Sequence, residues 1–324
     1  MAHDRAEAPT PPRGSFAIEP RGAFSLESSI RFLERFAPAA YEAPPARTLD
    51  FAFALEGSWQ TVGVSVDQVG TEVRGRVFAR RPLKRDDLSA VRSQVERILS
   101  LDVDGTGFDG GSSGVGSVGE RDAVVGAAQK RHPGLRPVGF WSWYEAAAWA
   151  IIGQRLRIAQ ATATKERLAV ELGEAIEVNG VMRQAFPAPA ALAAVTAMPG
   201  LTRAKVERLR ALAECARRNE FDSASLRALP RDVALEALQK LPGVGPFSAE
   251  LILLRGAGDP DWAPLHEKHL ATAVAHAYGL DTPASPEQIA AISEGWAPYR
   301  TWVTLLLRVQ LEDDRQASRG VVAG

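Results

Sequence analysis

The tightest grouping of residues with chemical potential runs from 234 to 255. Residues 234–241 read as a short helix that stops at Pro242-Gly243-Val244-Gly245, and Pro246 opens a second helix through 247–255. Proline cannot continue the first helix, and it suits the first turn of the second. Gly243 and Gly245 permit a sharp reversal and put no side chain between main-chain amides and an approaching anion. Val244, between them, is available to plug into a core. The connection therefore turns bare amides and a helix N-terminus outward, which suits a phosphate of a DNA backbone. Such a contact positions a strand without reading its sequence. The plainer alternative is a helical hairpin with a glycine turn.

A second group follows at Pro264-Leu265-His266-Glu267-Lys268-His269. On these residues alone, Glu267 is an acid in the first turn of a helix, where it complements the dipole. His266 and His269 stand three apart with no clear third ligand, a poor metal signature. Aromatic residues gather in two segments: Trp141, Trp143, Tyr144 and Trp149, then Trp296, Tyr299 and Trp302. Rings at this density pack a core or stack on a flat ligand. The basic run Arg74, Arg76, Arg80, Arg81, Lys84, Arg85 reads as a solvated sheet edge, and Arg155 and Arg157 as surface charges or backbone contacts.

The elements that would hold these groups fall into two kinds. Residues 1–15 read as a disordered tail. Within 16–103, Phe16–Pro20 could form a strand and Ser25 to Phe36 a helix. Leu49, Phe51, Phe53 and Leu55 alternate strictly, as do Val62, Val64 and Val66, and a third strand follows at 70–78. An antiparallel sheet with helices, an α+β N-terminal domain, is expected. Residues 104–120 form a Gly/Ser-rich stretch expected to be a flexible loop. From 121 to 314 the periodicity is helical, with Pro and Gly at the joints, so an all-helical region in two lobes is expected; 315–324 read as a flexible tail.

With 324 residues, 46% hydrophobic and 24% charged, the chain can bury real cores. One cysteine, Cys215, excludes an intrachain disulfide framework and a four-thiolate iron–sulfur cluster. The first fifteen residues lack the apolar stretch of a secretory signal, and no run approaches the ~20 apolar residues of a membrane span. A cytoplasmic protein without membrane contact is the expectation. The net charge of −1 excludes attachment to nucleic acid by bulk charge, so any DNA contact must be local.

LPGVGPFSAELILLRG closely resembles the helix-hairpin-helix of base-excision DNA glycosylases, in particular the DNA-3-methyladenine glycosylase II family. HPGLRPVGFWSWYEAAAWAIIGQRLRIAQA (132–161), AMPGLTRAKVERLRALAECA (197–216) and EGWAPYRTWVTLLL (294–307) resemble further segments of that family in the same order. The resemblance covers roughly 16 to 312. It implies a two-lobed helix-hairpin-helix fold behind an α+β domain, acting as a monomer on double-stranded DNA with damaged bases. Gly243, Gly245 and Ser248 fall where the family holds a phosphate. The carbonyls of Gln239, Leu241 and Val244 fall where a structural monovalent cation is often bound, and no cofactor is required. Phe247, Leu251 and Trp296 match the base pocket, and Arg155, with Leu156 beside it, matches the intercalating wedge.

The family's single catalytic Asp falls on Glu267, whose carboxylate would stabilise the cationic sugar as the base departs. The substitution keeps the charge and adds a methylene, and an ~1 Å misplacement of a catalytic group can cost on the order of 10²-fold. Bifunctional relatives carry a nucleophilic Lys where this chain has Phe247, so a monofunctional enzyme that uses water is implied. The activity implied is hydrolysis of the N-glycosidic bond of alkylated bases. The rival is a non-catalytic lesion-binding protein on the same fold.

Overall fold

The alternating apolar residues near the N-terminus build one layer of the protein. A computed structural model describes residues 10–39, 41–44, 47–109 and 116–322 of the chain. Strands β1 (Gly14–Ile18), β2 (Leu49–Ala54), β3 (Thr61–Val69) and β4 (Glu72–Phe78) form an antiparallel sheet in the order β1-β4-β3-β2. Register pairs Phe51 with Val64, Phe53 with Val62 and Val64 with Val77, so one face is a continuous apolar surface. Helices α1 (Leu26–Arg35) and α2 (Arg85–Ile98) bury Ile30, Leu33, Val91, Val95 and Ile98 in the core with that sheet. Ser25 starts α1 by accepting the Ser28 amide at 3.1 Å.

Beyond the sheet the chain is mostly helical. In order come α3 (Thr106–Asp109), α4 (Val118–Arg121), α5 (Ala123–Arg131), α6 (Trp143–Gly153) and α7 (Ile158–Leu172). After a β-hairpin, β5 (Ala175–Val178) and β6 (Val181–Gln184), follow α8 (Pro189–Ala193), α9 (Arg203–Arg217), α10 (Ser223–Ala228) and α11 (Arg231–Gln239). Then come α12 (Pro246–Leu251), a π-helical continuation through Ile252–Ala257, α13 (Lys268–Tyr278), α14 (Pro286–Ser293) and α15 (Arg300–Val322). One helical core gathers residues of α6 to α12, and another gathers residues of α3 to α5 with α13 to α15.

Four expectations need correction. The region 121–314 is not all-helical: β5 and β6 pair around Asn179 (φ 52°) and Gly180 (φ 79°), and Ile176 and Val178 pack on Phe78 of the sheet. Asn-Gly is the preferred two-residue hairpin turn, whose positive φ these residues tolerate. The 104–120 stretch is anchored at both ends, because Phe108 and Val118 are buried in the second helical core; residues 110–115 of that stretch lie outside the described residues. The tail expected at 1–15 is structured from residue 10, where the Thr10 hydroxyl donates to Glu177 at 2.6 Å, while residues 1–9 lie outside the described residues. The expected C-terminal tail instead extends α15 as far as Val322, leaving 323–324 outside the described residues.

Candidate active site

The hairpin turn is built as its residues demand. Leu241, Pro242, Gly243 and Val244 form a tight turn closed by the Val244 amide donating to the Leu241 carbonyl at 3.0 Å. Gly243 sits at φ +88°, the left-handed value the third position of such a turn requires. Gly245 differs: its φ of −96° is open to any residue, and a side chain there would meet nothing within 4 Å. No side chain caps α12, and the first-turn amides of Phe247 and Ser248 have no intrahelical acceptor. Val244 is buried in the helical core. A cation held by the Gln239, Leu241 and Val244 carbonyls would share the Leu241 oxygen with the turn's own hydrogen bond.

The turn is braced from behind. Gln154, after α6, donates to the Gly243 carbonyl at 2.6 Å and accepts from Arg208 of α9 at 2.7 Å. Lys205 donates to the carbonyls of Ile152 and Gln154, both at 2.7 Å. Burial and the neighbouring Arg208 charge lower the Lys205 pKa. Arg155 follows in the left-handed region at φ 56° with its side chain exposed, whereas Leu156 is half-buried against the helical core. The hairpin and the Arg155 loop are thus one braced unit.

Between the three cores opens a cleft of about 660 Å³. Phe247, Glu250, Leu251, Leu254 and Arg255 line it from α12 and its continuation; Glu267 and His269 do so at the start of α13. Helix α1 adds Arg31, Phe32, Arg35 and Phe36, and α15 adds Thr301, Thr304 and Arg308 among others. Phe247 is 63% exposed, an unusual position for a large ring. Among the described residues lining the cleft there is no lysine.

Glu267 is the N-cap of α13. Its Oε1 accepts the His269 amide at 3.0 Å and its Oε2 the Leu270 amide at 2.8 Å, with Arg308 Nη1 at 3.7 Å from Oε2. The extra methylene curls back, so the carboxylate caps its own helix as a shorter acid would. Two amides occupy two of its roughly four lone-pair sites, which leaves it able to face a cation. The loop before it is pinned: Arg300 pairs with Asp261 at 2.7 Å, Thr301 accepts the Trp262 amide at 3.0 Å, and Trp262 donates to Glu250 at 3.2 Å.

Trp296 is not in the cleft. It is 0% exposed in the second helical core, where its indole N–H meets the Tyr278 hydroxyl at 3.0 Å and Asp122 at 3.2 Å. A buried indole needs such partners, and these hold it as a core anchor. Trp302 is also a core residue, under the Arg136 guanidinium at 5.1 Å. Trp149, by contrast, lines the cleft. Sequence reasoning missed Phe32, Phe36, Arg255 and Arg308. Arg255 and Arg308 each interrupt an apolar helical run, a signal that was present but indistinguishable from a solvated charge.

No family model matches the chain. It is 23% identical to the DNA-3-methyladenine glycosylase of Bacillus subtilis (strain 168) over 231 residues, 70% of this chain and 74% of that protein. It is 29% identical over 236 residues to a Mycobacterium tuberculosis protein described as "Probable bifunctional transcriptional activator/DNA repair enzyme AlkA". That match takes 70% of this chain and spans 44% of the mycobacterial protein. Over about 70% of its length the chain is similar to DNA-3-methyladenine glycosylases. Its fold is shared with a 3-methyladenine DNA-glycosylase from Archaeoglobus fulgidus, with TM-score 0.72, 20% identity and coverage of 91% of this chain and 97% of that one. Where the resembling family has an Asp, this chain has the longer Glu267, and Arg308 faces it.

Proposed function

We propose that this protein is a monofunctional DNA N-glycosylase that releases alkylated bases of the 3-methyladenine type from duplex DNA, opening base excision repair. The observation that carries this reading is one cleft holding the Glu267 carboxylate, Phe247 and Leu251, beside a hairpin whose Gly245 and first-turn amides are open to solvent. In this reading Gly243, Gly245 and Ser248 hold a phosphate, Arg155 with Leu156 fills the gap left by an extruded nucleotide, and the extruded base enters the cleft. Phe247, Phe36 and Trp149 contribute rings to its lining. Glu267 stabilises positive charge at C1′ as the bond breaks, and water completes hydrolysis. With Phe247 in place of an amine there is no Schiff-base route, so strand cleavage is not expected. The protein acts as a monomer.

The test is base release from methylated duplex DNA, with wild type against Glu267→Gln. Loss of the charge is expected to cost about 10²–10³-fold in the single-turnover rate. The amide also weakens the α13 cap by about 1 kcal/mol, so the assay belongs well below the melting temperature. DNA affinity should survive, and borohydride should trap no covalent complex. Base release at the wild-type rate by Glu267→Gln would remove Glu267 from the chemistry.

A further inference from the structure

Arg308 and Arg255 give the cleft a chemistry of its own. Arg308 Nη1 lies 3.7 Å from Glu267 Oε2. That distance is an ion pair but too long for a hydrogen bond, so the guanidinium N–H groups are not spent on the acid. Arg255 lies on the π-helical continuation of α12, one turn past Leu251. Its Nη2 donates to the Val138 carbonyl at 2.7 Å, and its guanidinium rests over the rings of Phe36 at 4.7 Å and Phe32 at 5.4 Å. Among the described residues no carboxylate pairs with Arg255, and its buried Nε has no partner. Burial and the neighbouring Arg308 charge pull it down to about 9. Of the other cleft arginines, Arg35 pairs with Asp313 and Arg131 with Asp314, while Arg31 donates to the Ser28 hydroxyl.

A cationic methylpurine gains nothing from two guanidinium groups beside it. A neutral base gains much. When the C1′–N bond breaks, its electron pair leaves with the base. A cationic base departs neutral, but a neutral base departs as an anion and needs stabilisation. The oxocarbenium left behind takes the water oxygen, and the proton that water releases ends on the base, so the step balances without a co-reactant. Donors preorganised where charge develops are the strongest device for such a step.

Resting on the glycosylase reading above, we propose that Arg308 is a second catalytic residue that stabilises the departing base as an anion, with Arg255 sustaining the positive potential behind it. The pairing with Glu267 places Arg308 beside the scissile bond, since that acid faces C1′.

The experiment compares single-turnover release from two duplexes, one with hypoxanthine, a neutral base, and one with 7-methylguanine, a cationic one. Wild type should release both. Arg308→Met should lower the hypoxanthine-to-7-methylguanine rate ratio about 10²-fold. Arg308→Lys, which keeps the charge, should recover part of that ratio. An unchanged ratio in Arg308→Met overturns the proposal. So does a wild type that releases 7-methylguanine and no hypoxanthine, while the glycosylase reading stands. Release of neither base by wild type overturns the glycosylase reading itself, and this proposal with it.

Discussion

Two glycines of the same turn have opposite requirements. Gly243 needs its φ of +88°, and a Cβ there would sit 2.5 Å from Arg208 Cδ, the residue that holds Gln154. Gly243→Ala should therefore destabilise the fold by about 1–2 kcal/mol, read as a shift in the urea midpoint. Gly245 has ordinary backbone angles and empty space around it. Gly245→Val should cost only about 0.5–1 kcal/mol of stability, the difference between glycine and a poor N-cap residue at the start of α12. Its affinity for undamaged duplex should nevertheless fall at least about tenfold, the equivalent of 1.4 kcal/mol. Undiminished binding in fluorescence anisotropy would refute the phosphate clamp. The glycine pattern was legible in the sequence, since Pro-Gly-x-Gly-Pro leaves few backbone options. The different duties of the two glycines were not, because they depend on Arg208, some 35 positions earlier in the chain.

A buried arginine ties several elements together. Arg97 of α2 is 7% exposed and donates to the carbonyls of Phe140 at 3.2 Å and Trp141 at 2.6 Å, with a further bond to Gly256. It also lies 3.4 Å from Glu56, which accepts the Ser223 hydroxyl at 2.7 Å. Burial lowers the Arg97 pKa, and the Glu56 charge opposes that shift. The N-terminal domain thereby fastens the end of the hairpin helix, where Gly256 lies against Trp143 with no room for a side chain. Arg97→Met would strand several acceptors in the interior. A loss on the order of 3 kcal/mol in urea unfolding is expected. A loss below about 1 kcal/mol would show that water or neighbours satisfy those carbonyls instead. The helix periodicities were readable, because apolar spacing reflects which face is buried. The β5–β6 hairpin carried a readable Asn179-Gly180 turn, but its strands were too short and its outer face too mixed for alternation to stand out.

At the scale of the molecule, a net charge of −1 must coexist with binding to a polyanion. The exposed Arg155 and Arg157 stand on the loop braced to the hairpin, on a different element from the paired arginines of the cleft. Each phosphate contact contributes about 0.9 to the slope of log affinity against log salt. The double variant Arg155→Ala, Arg157→Ala should reduce that slope by between about one and two. An unchanged slope would mean both charges face solvent in the complex. The cleft belongs to the whole molecule as well, since its walls come from α1, α12 and α15, three elements of three different cores.

Chain-local constraints made the α+β start, the helical remainder and the two-glycine turn readable, because proline, glycine and apolar periodicity act within a few residues, whereas Glu267 was singled out by the family resemblance. Which rings face the cleft was settled elsewhere. Trp296 and Trp149 are both tryptophans on helical segments, and only packing sends one to the core with Asp122 and the other to the cavity wall. The meeting of Arg308 with Glu267, some forty residues apart, likewise exists only because α13 and α15 lie side by side. Contacts of that range depend on how the layers close, and no local pattern encodes them.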